Sequence, residues 1–188
     1  MLRIALIVGS TRAGRFADIP AQWLLAGACD RSDLVVDTLD LRTWRLPLLG
    51  EADPDDTAGS WARQIERFDG YVATVAEYNH GPTAVLKNAL DLGGKGWRRK
   101  PIGFVGYGGV GGARAIEQLR AIAIELQLAP IRQSVHVGAE VFQQVSRYGV
   151  PLEEYEHLAT TRDRLFEDLS WWARALRAAR EEPAAEPS

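Results

Sequence analysis

The chain has 188 residues, of which 46% are hydrophobic and 25% are charged, so it can bury one sizeable core and has the composition of an ordinary globular domain. The formal net charge of −3 gives no support for a nucleic-acid or anionic-membrane partner, and no apolar run approaches the ~20 residues that a membrane span needs. Cys29 is the only cysteine, which excludes an intrachain disulfide and disfavours a zinc site, so we predict no metal and a core position for Cys29. Because neither a signal-peptide pattern nor a membrane span is found, a cytoplasmic location is expected.

The predicted elements alternate between strand and helix along the chain. In chain order the patterns predict a strand at 2–8, a helix at 19–29, a strand at 34–41, a helix at 57–68, a strand at 71–76, a helix at 83–92, a strand at 101–106, a helix at 112–128, a strand at 131–137 and a helix at 152–179. The stretch 42–56 is rich in Pro, Gly and Asp and is predicted to be a loop. The chain would form one domain over 1–180, followed by a disordered tail at 181–188.

This alternation predicts the fold class α/β, with a single doubly wound five-stranded parallel sheet covered by helices on both faces. Ligands of such sheets bind beyond the carboxyl ends of the strands. The turns after the first, third and fourth strands are therefore the places to look for a site.

The first turn, GSTRAGRF, combines glycines with two hydroxyls, Ser10 and Thr11, and two guanidiniums, Arg12 and Arg15. A predicted helix N-terminus follows, where exposed N–H groups and the helix dipole favour a phosphate. The alternative is a polar loop whose arginines face water. The Gly-Lys-Ser/Thr of a P-loop is absent, which argues against an ATP or GTP enzyme.

The third turn places four residues at the open end of the sheet: Glu77, Tyr78, Asn79 and His80. We predict that Gly81 caps the next helix, with Pro82 in its first turn. Each residue also has an ordinary interpretation: packing for Tyr78, turn formation for Asn79 and solvent exposure for His80.

The fourth turn, GYGGVGGARA, contains five glycines in seven residues, which would let its backbone approach a flat or charged ligand. Gly106, Gly108 and Gly111 also match the G-x-G-x-x-G dinucleotide pattern. However, the pattern follows the fourth strand, and no acidic residue stands about 20 positions further on at a strand end. Direct NAD binding at this loop is therefore the weaker alternative.

Together these turns resemble the NAD(P)H-dependent FMN reductases of the flavodoxin-like fold. GSTRAGRF is similar to the family's G-S-x-R phosphate loop, EYNHGPTAVLKNALD to its E-Y-N-x-x-x-x-x-x-L-K-N-A-x-D signature and YGGVGGARA to its flavin loop. The resemblance implies strand order 2-1-3-4-5, non-covalent FMN and reduction by NAD(P)H. It also implies that the FMN phosphate is held by Ser10 and Arg12 with Thr11 and Phe16 close by, one side of the ring by Glu77, Tyr78, Asn79 and His80, and its other edge by Tyr107, Gly108 and Gly109.

The resemblance implies an enzyme that passes electrons from NAD(P)H through bound FMN to a flavin, quinone or azo acceptor, and no catalytic side chain is predicted because the flavin carries the chemistry. The alternatives are a non-enzymatic flavin electron carrier or redox-responsive module, and a deazaflavin user. Members of the family form dimers or tetramers, so a homodimer or homotetramer is expected. In the last helix, one of the adjacent Trp171 and Trp172 is expected to cover the core, with the other exposed or buried by a partner.

Overall fold

The apolar runs of the sequence become the strands of one parallel sheet. The structure, a computed structural model, describes residues 1–182, and in them the sheet has five strands: β1 (Leu2–Val8), β2 (Leu34–Asp40), β3 (Gly70–Ala76), β4 (Pro101–Tyr107) and β5 (Ala129–Val137). Every residue of β3 and β4 is buried, because helices cover both faces of the sheet centre.

The strand order is β2-β1-β3-β4-β5, as predicted, and all neighbouring strands are parallel. In the register, Val8 pairs with both Asp40 and Thr74, and Tyr107 pairs with Ala76. The carboxyl ends of β1, β3 and β4 therefore meet at one edge, and the turns that follow them lie side by side.

The described residues contain seven α-helices, of which the first five lie between strands and the last two follow β5: α1 (Asp18–Cys29), α2 (Leu41–Trp44), α3 (Thr57–Glu66), α4 (Ala84–Leu92), α5 (Ala113–Glu125), α6 (Ala139–Tyr148) and α7 (Glu156–Glu181). Alternate residues of β1 enter two separate apolar clusters. Ile4 and Leu6 pack on the side of α1 and α7, while Ala5 and Ile7 pack on the side of α3, α4 and α5. The sheet thus divides the interior into two cores.

Several helix boundaries differ from the prediction. Helices α2 and α6 were not predicted, and the last helix begins at Glu156, after a 3₁₀ turn at Leu152–Glu154. In α6, Val145 is buried and Val141 and Phe142 are partly buried against the core, so the segment does carry an apolar face, which the sequence analysis did not use. Helix α7 includes Glu181, the first residue of the predicted tail, and 183–188 lie outside the described residues.

Two expectations about the core were wrong: a buried Cys29, and one tryptophan of the last helix covering the core. Cys29 is exposed, because α1 turns Trp23, Leu24 and Ala28 inward instead. Trp171 and Trp172 are 60% and 40% exposed, so neither covers the core. Leu169 and Ala173 hold the buried positions of that part of α7. The two indole rings contact each other edge to face, with centroids 5.3 Å apart, and leave an aromatic surface on the outside of the helix.

Candidate functional site

A cavity of about 340 Å³ opens at the carboxyl edge of the sheet. The first, third and fourth turns all contribute to it, and α1 and α6 complete its wall. It is lined by Arg12, Gly14, Arg15, Phe16, Ile19, Ala76, Glu77, Tyr78, Tyr107, Gly108, Phe142 and Ser146. The three turns that the sequence analysis singled out therefore form one concave surface.

The first turn is fastened to the neighbouring elements by two threonine hydroxyls. The Gly9 N–H donates to Thr74 Oγ1 at 3.1 Å, and Thr83 Oγ1 donates to the Gly9 carbonyl at 2.5 Å. A side chain at Gly9 would overlap the Thr74 carbonyl oxygen, so this approach requires glycine. Thr83 also accepts from the Leu86 N–H at 3.2 Å and is thus the N-cap of α4, where Gly81 was predicted.

The two arginines of the first turn have different environments. The guanidinium of Arg15 is buried and donates to both oxygens of Asp40, at 2.6 and 2.5 Å, as well as to Asp18 and the Ser10 carbonyl. The hydrogen bond between Arg15 and Asp40 raises the pKa of Arg15, and the same bond holds the pKa of Asp40 below its ordinary value. Arg15 therefore shapes the loop, and the exposed Arg12 is the guanidinium available to a ligand.

The third turn is closed by two backbone hydrogen bonds, from Tyr78 N–H to the Gly81 carbonyl at 2.9 Å and from Gly81 N–H to the Tyr78 carbonyl at 3.1 Å. Its central residues, Asn79 and His80, both have left-handed backbones, with φ values of 50° and 70°. Such conformations cost about 1 kcal/mol or more for a residue other than glycine. Asn79 and His80 lie at the exposed tip of the turn, next to the cavity lining, while Tyr78 reaches the cavity.

The Glu77 carboxylate joins the third turn to α5. Its side chain is 4% exposed and accepts from the backbone N–H of Arg114 at 3.1 Å and from the Arg114 Nε at 2.6 Å. It also accepts from the Ala115 N–H at 3.4 Å and so caps the N-terminus of α5. Burial opposes ionisation of Glu77, but the hydrogen bonds from Arg114 and Ala115 outweigh it and lower its pKa.

The glycines of the fourth turn divide into two groups. A side chain at Gly106 would overlap the Gly111 carbonyl, and one at Gly112 would come within 2.8 Å of the Gly106 Cα, so these glycines let the loop fold back onto β4. The first glycine of the G-x-G-x-x-G pattern, Gly106, is therefore required by the packing of the loop, and its presence does not indicate a bound dinucleotide. In contrast, the space around Gly109 is open, and a Cβ on Gly108 would meet only the Glu77 Cβ at 4.0 Å.

The inner wall of the cavity is aromatic and carries one unused hydrogen-bonding group. The ring of Phe16 lies 5.1 Å from that of Tyr107 and 4.6 Å from that of Phe142, between centroids. Tyr107 is 5% exposed, and within the described residues its buried hydroxyl has no hydrogen-bond partner. Burial raises the pKa of this phenol, so it stays protonated and can donate to a ligand.

The structure brings most of the sequence-predicted residues to this edge but distributes them unevenly. Six line the cavity itself: Arg12, Phe16, Glu77, Tyr78, Tyr107 and Gly108. Ser10 lies just behind, with Oγ 3.5 Å from the Tyr78 hydroxyl, and Thr11 lines a neighbouring cavity with Arg42 and Arg45. The sequence analysis missed Phe142 and Ser146, because it missed α6, and did not identify Arg114 although it quoted the GGARA segment that contains it.

The comparisons with known proteins agree with this geometry. Residues 2–141 match the family model described as NADPH-dependent FMN reductase. The chain is 31% identical over 139 residues to an NAD(P)H-dependent FMN reductase of Schizosaccharomyces pombe, and the match covers 68% of this chain and 70% of that protein. It is 32% identical over 142 residues to a 2-hydroxy-1,4-benzoquinone reductase of a Burkholderia species, covering 70% of this chain and 75% of the relative.

Among solved structures, the fold is similar to that of FerB, a flavoenzyme NAD(P)H:(acceptor) oxidoreductase from Paracoccus denitrificans. The TM-score is 0.71 at 20% sequence identity, and the superposition covers 93% of this chain and 98% of that one. At this identity the likeness bears on the fold, whereas the family match spans most of the chain and includes all three turns of the cavity. The chain belongs to the NADPH-dependent FMN reductase family.

Proposed function

We propose that the protein is an FMN-dependent oxidoreductase that takes electrons from NAD(P)H and delivers them to a small-molecule acceptor. The observation that carries the proposal is the convergence of the three turns on one cavity that combines an exposed guanidinium, an aromatic wall and an unpartnered phenol. Family membership supports the same reaction class. When bound, FMN supplies the electron chemistry, so the protein's own residues need only bind, orient and shield.

The phosphate end of FMN fits the first turn. The exposed Arg12 can pair with phosphate oxygens, and the Phe16 ring lines the same cavity, with the buried Ser10 hydroxyl just behind it. Thr11, whose side chain faces the neighbouring cavity, would contribute through its backbone N–H.

The ring end of FMN fits the space between the third and fourth turns. One side of the ring would be lined by Glu77, Tyr78, Asn79 and His80, and the other edge by Tyr107, Gly108 and Gly109. The open space at Gly108 and Gly109 lets the backbone approach a flat ligand; the Gly108 N–H donates to the Val137 carbonyl at 3.3 Å, so the Gly109 N–H is the group that would stabilise negative charge on the ligand. The Tyr107 hydroxyl would complete its hydrogen bonding by donating to the bound molecule.

The visible spectrum of the purified protein, recorded before and after addition of FMN, tests the proposal. We expect FMN to bind, and NADPH or NADH added without oxygen to bleach its absorbance within minutes. A benzoquinone added next should restore the colour, and this acceptor is chosen because a relative is named a benzoquinone reductase. A protein that stays colourless in saturating FMN contradicts the proposal, and bound flavin that is never bleached would favour an electron carrier instead.

We also propose that the protein assembles as a homodimer or homotetramer in the cytoplasm. The aromatic surface of Trp171 and Trp172 supports the assembly, because water-exposed indole pairs are unusual on a monomer. In the part of the chain that the structure describes, no helix combines the length and the apolar character that crossing a membrane requires. Fractionation of cells that produce the protein tests the location.

A further inference from the structure

Arg114, the second residue of α5, connects the two walls of the cavity. Its guanidinium pairs with Glu77, and its Nη1 lies 2.9 Å from His80 Nε2. Glu77 and His80 stand on either side of Tyr78 in the third turn, whereas Arg114 comes two residues after the last glycine of the fourth turn. Gln118, one helical turn further, donates to the His80 carbonyl at 2.8 Å. All these contacts run between the third turn and the start of α5.

The contact with Arg114 depends on the protonation of His80. A guanidinium has only N–H donors, so Arg114 can donate to Nε2 of His80 only while that nitrogen carries no proton. Protonation of Nε2 would remove this hydrogen bond and place two cations side by side. The charged groups that face the ring are the Arg114 guanidinium and, beyond it, the Glu77 carboxylate; Gln118 is neutral.

We infer that Arg114 is a positioning residue that holds the third turn against the glycine loop while His80 is neutral, and that protonation of His80 loosens this hold. The expected consequence is weaker FMN binding in acid, and this consequence rests on the proposed function. The third turn needs such a hold because its two left-handed residues would otherwise relax to other conformations. The guanidinium of Arg114 has several N–H donors in one plane and can bond Glu77 and His80 at the same time. A lysine at this position should therefore restore only part of the hold on the third turn.

The first test uses the protein without ligand. Amide hydrogen exchange is measured for residues 77–81 and 113–116 in the wild type, Arg114→Gln and Arg114→Lys. We expect protection factors to fall about tenfold in Arg114→Gln and less in Arg114→Lys, because only lysine keeps the charge next to Glu77. Arg63→Gln removes an exposed arginine paired with Asp56 and is the matched control, with unchanged protection. Equal protection in Arg114→Gln and the wild type would overturn the inference.

The second test separates His80 from other titrating groups. Protection factors and the Kd values of FMN and riboflavin are measured at pH 8 and pH 5 for the wild type and His80→Gln; riboflavin lacks the phosphate, which itself changes charge near pH 6. We expect the wild type to lose protection and to bind riboflavin about tenfold more weakly at pH 5. His80→Gln should respond little, since a glutamine oxygen accepts from Arg114 at either pH.

The outcomes distinguish the inference from the proposed function. If the wild type binds neither flavin but its third turn loosens in acid through His80, the proposed function is wrong and the positioning role stands. If flavin binds but the acid response persists in His80→Gln, the role assigned to His80 is wrong. If Arg114→Gln binds FMN as tightly as the wild type, Arg114 is not a positioning residue of this cavity.

Discussion

At the entrance to α1, the guanidinium of Arg15 is 2% exposed and lies between the carboxylates of Asp18 and Asp40. Asp40 closes β2, so the contact ties the first turn to the neighbouring strand. A buried cation of this kind contributes little when both partners are present, but its removal leaves two carboxylates close together, with Arg42, 3.8 Å from Asp18, as the remaining cation. The shape of the first turn therefore depends on the charge of Arg15.

Replacing Arg15 should consequently destabilise the protein. We expect Arg15→Gln to lower the free energy of unfolding by about 3 kcal/mol, measured by urea denaturation. Arg63→Gln breaks a pair whose side chains are 66% and 65% exposed and should cost less than about 1 kcal/mol. Equal losses in the two variants would show that burial of Arg15 has no energetic role.

A second buried cation, Lys100, predicts how stability depends on pH. Its Nζ donates to the Glu66 carbonyl at 2.9 Å and to the Ile65 carbonyl at 3.3 Å, at the C-terminal end of α3. Burial, and to a lesser extent the charge of Arg180, lowers the pKa of Lys100 from 10.5 to about 8. Above pH 8 the unfolded chain therefore keeps a proton that the folded protein has released, so stability must rise with pH.

We expect the free energy of unfolding to increase by about 2 kcal/mol between pH 8 and pH 9.5, a range that lies below the ionisation of the tyrosines. Denaturant titrations at several pH values measure this slope. Lys100→Met should remove it, and Lys95→Met, at an exposed lysine, should retain it. Parallel pH profiles for the wild type and Lys100→Met would contradict the assignment.

At the scale of elements, α4 and the first turn depend on a single hydroxyl. Thr83 caps α4 and also donates to the Gly9 carbonyl, so its loss should affect both helix stability and ligand binding. We expect Thr83→Val to lower the free energy of unfolding by about 1–2 kcal/mol and to weaken FMN binding, measured by denaturation and by fluorescence titration. Thr83→Ser keeps the hydroxyl and should resemble the wild type. Equal unfolding free energies and equal FMN affinities for Thr83→Val and Thr83→Ser would rule out this role of the hydroxyl.

The central strands β3 and β4 could be predicted because each is buried on both faces, which leaves a continuous apolar run such as the seven buried residues of β3. The outer strands β2 and β5 mix buried with exposed positions and give a weaker pattern. Helix α6 was missed although Val141, Phe142 and Val145 form an apolar face at helical spacing, because a segment of ten residues leaves little room for the period to repeat. The cap of α4 was misplaced for a different reason. Gly81 and Thr83 are both acceptable caps locally, and the contact of Thr83 with Gly9, 74 positions away, decides between them.

The position of the cavity also followed from the sequence, because parallel strands bring their carboxyl ends together. The sequence did not reveal which polar side chains the protein uses for its own structure. Arg15 is engaged by Asp40, 25 positions away, and Glu77 by Arg114, 37 positions away. Such pairings arise only when the sheet has formed, and local patterns cannot separate them from ligand contacts.

At the scale of the whole molecule, the exposed indoles of α7 predict assembly. We expect sedimentation to show a dimer or tetramer for the wild type and a smaller species for the double variant Trp171→Ser with Trp172→Ser, because burial of two indoles favours association. Ile124→Ser removes an isolated side chain that is 66% exposed and should leave the assembly unchanged. A monomeric wild type would contradict the expected oligomer.

The tight turn formed by Tyr78, Asn79, His80 and Gly81 has a consequence for engineering. A glycine in place of His80 would relieve a left-handed backbone, and a screen that rewards heat resistance alone should favour that substitution. The same change would remove the imidazole that contacts Arg114. The selected proteins would therefore tolerate higher temperatures but hold the third turn less firmly against the cavity. Directed evolution of this scaffold should therefore score turnover together with thermal tolerance.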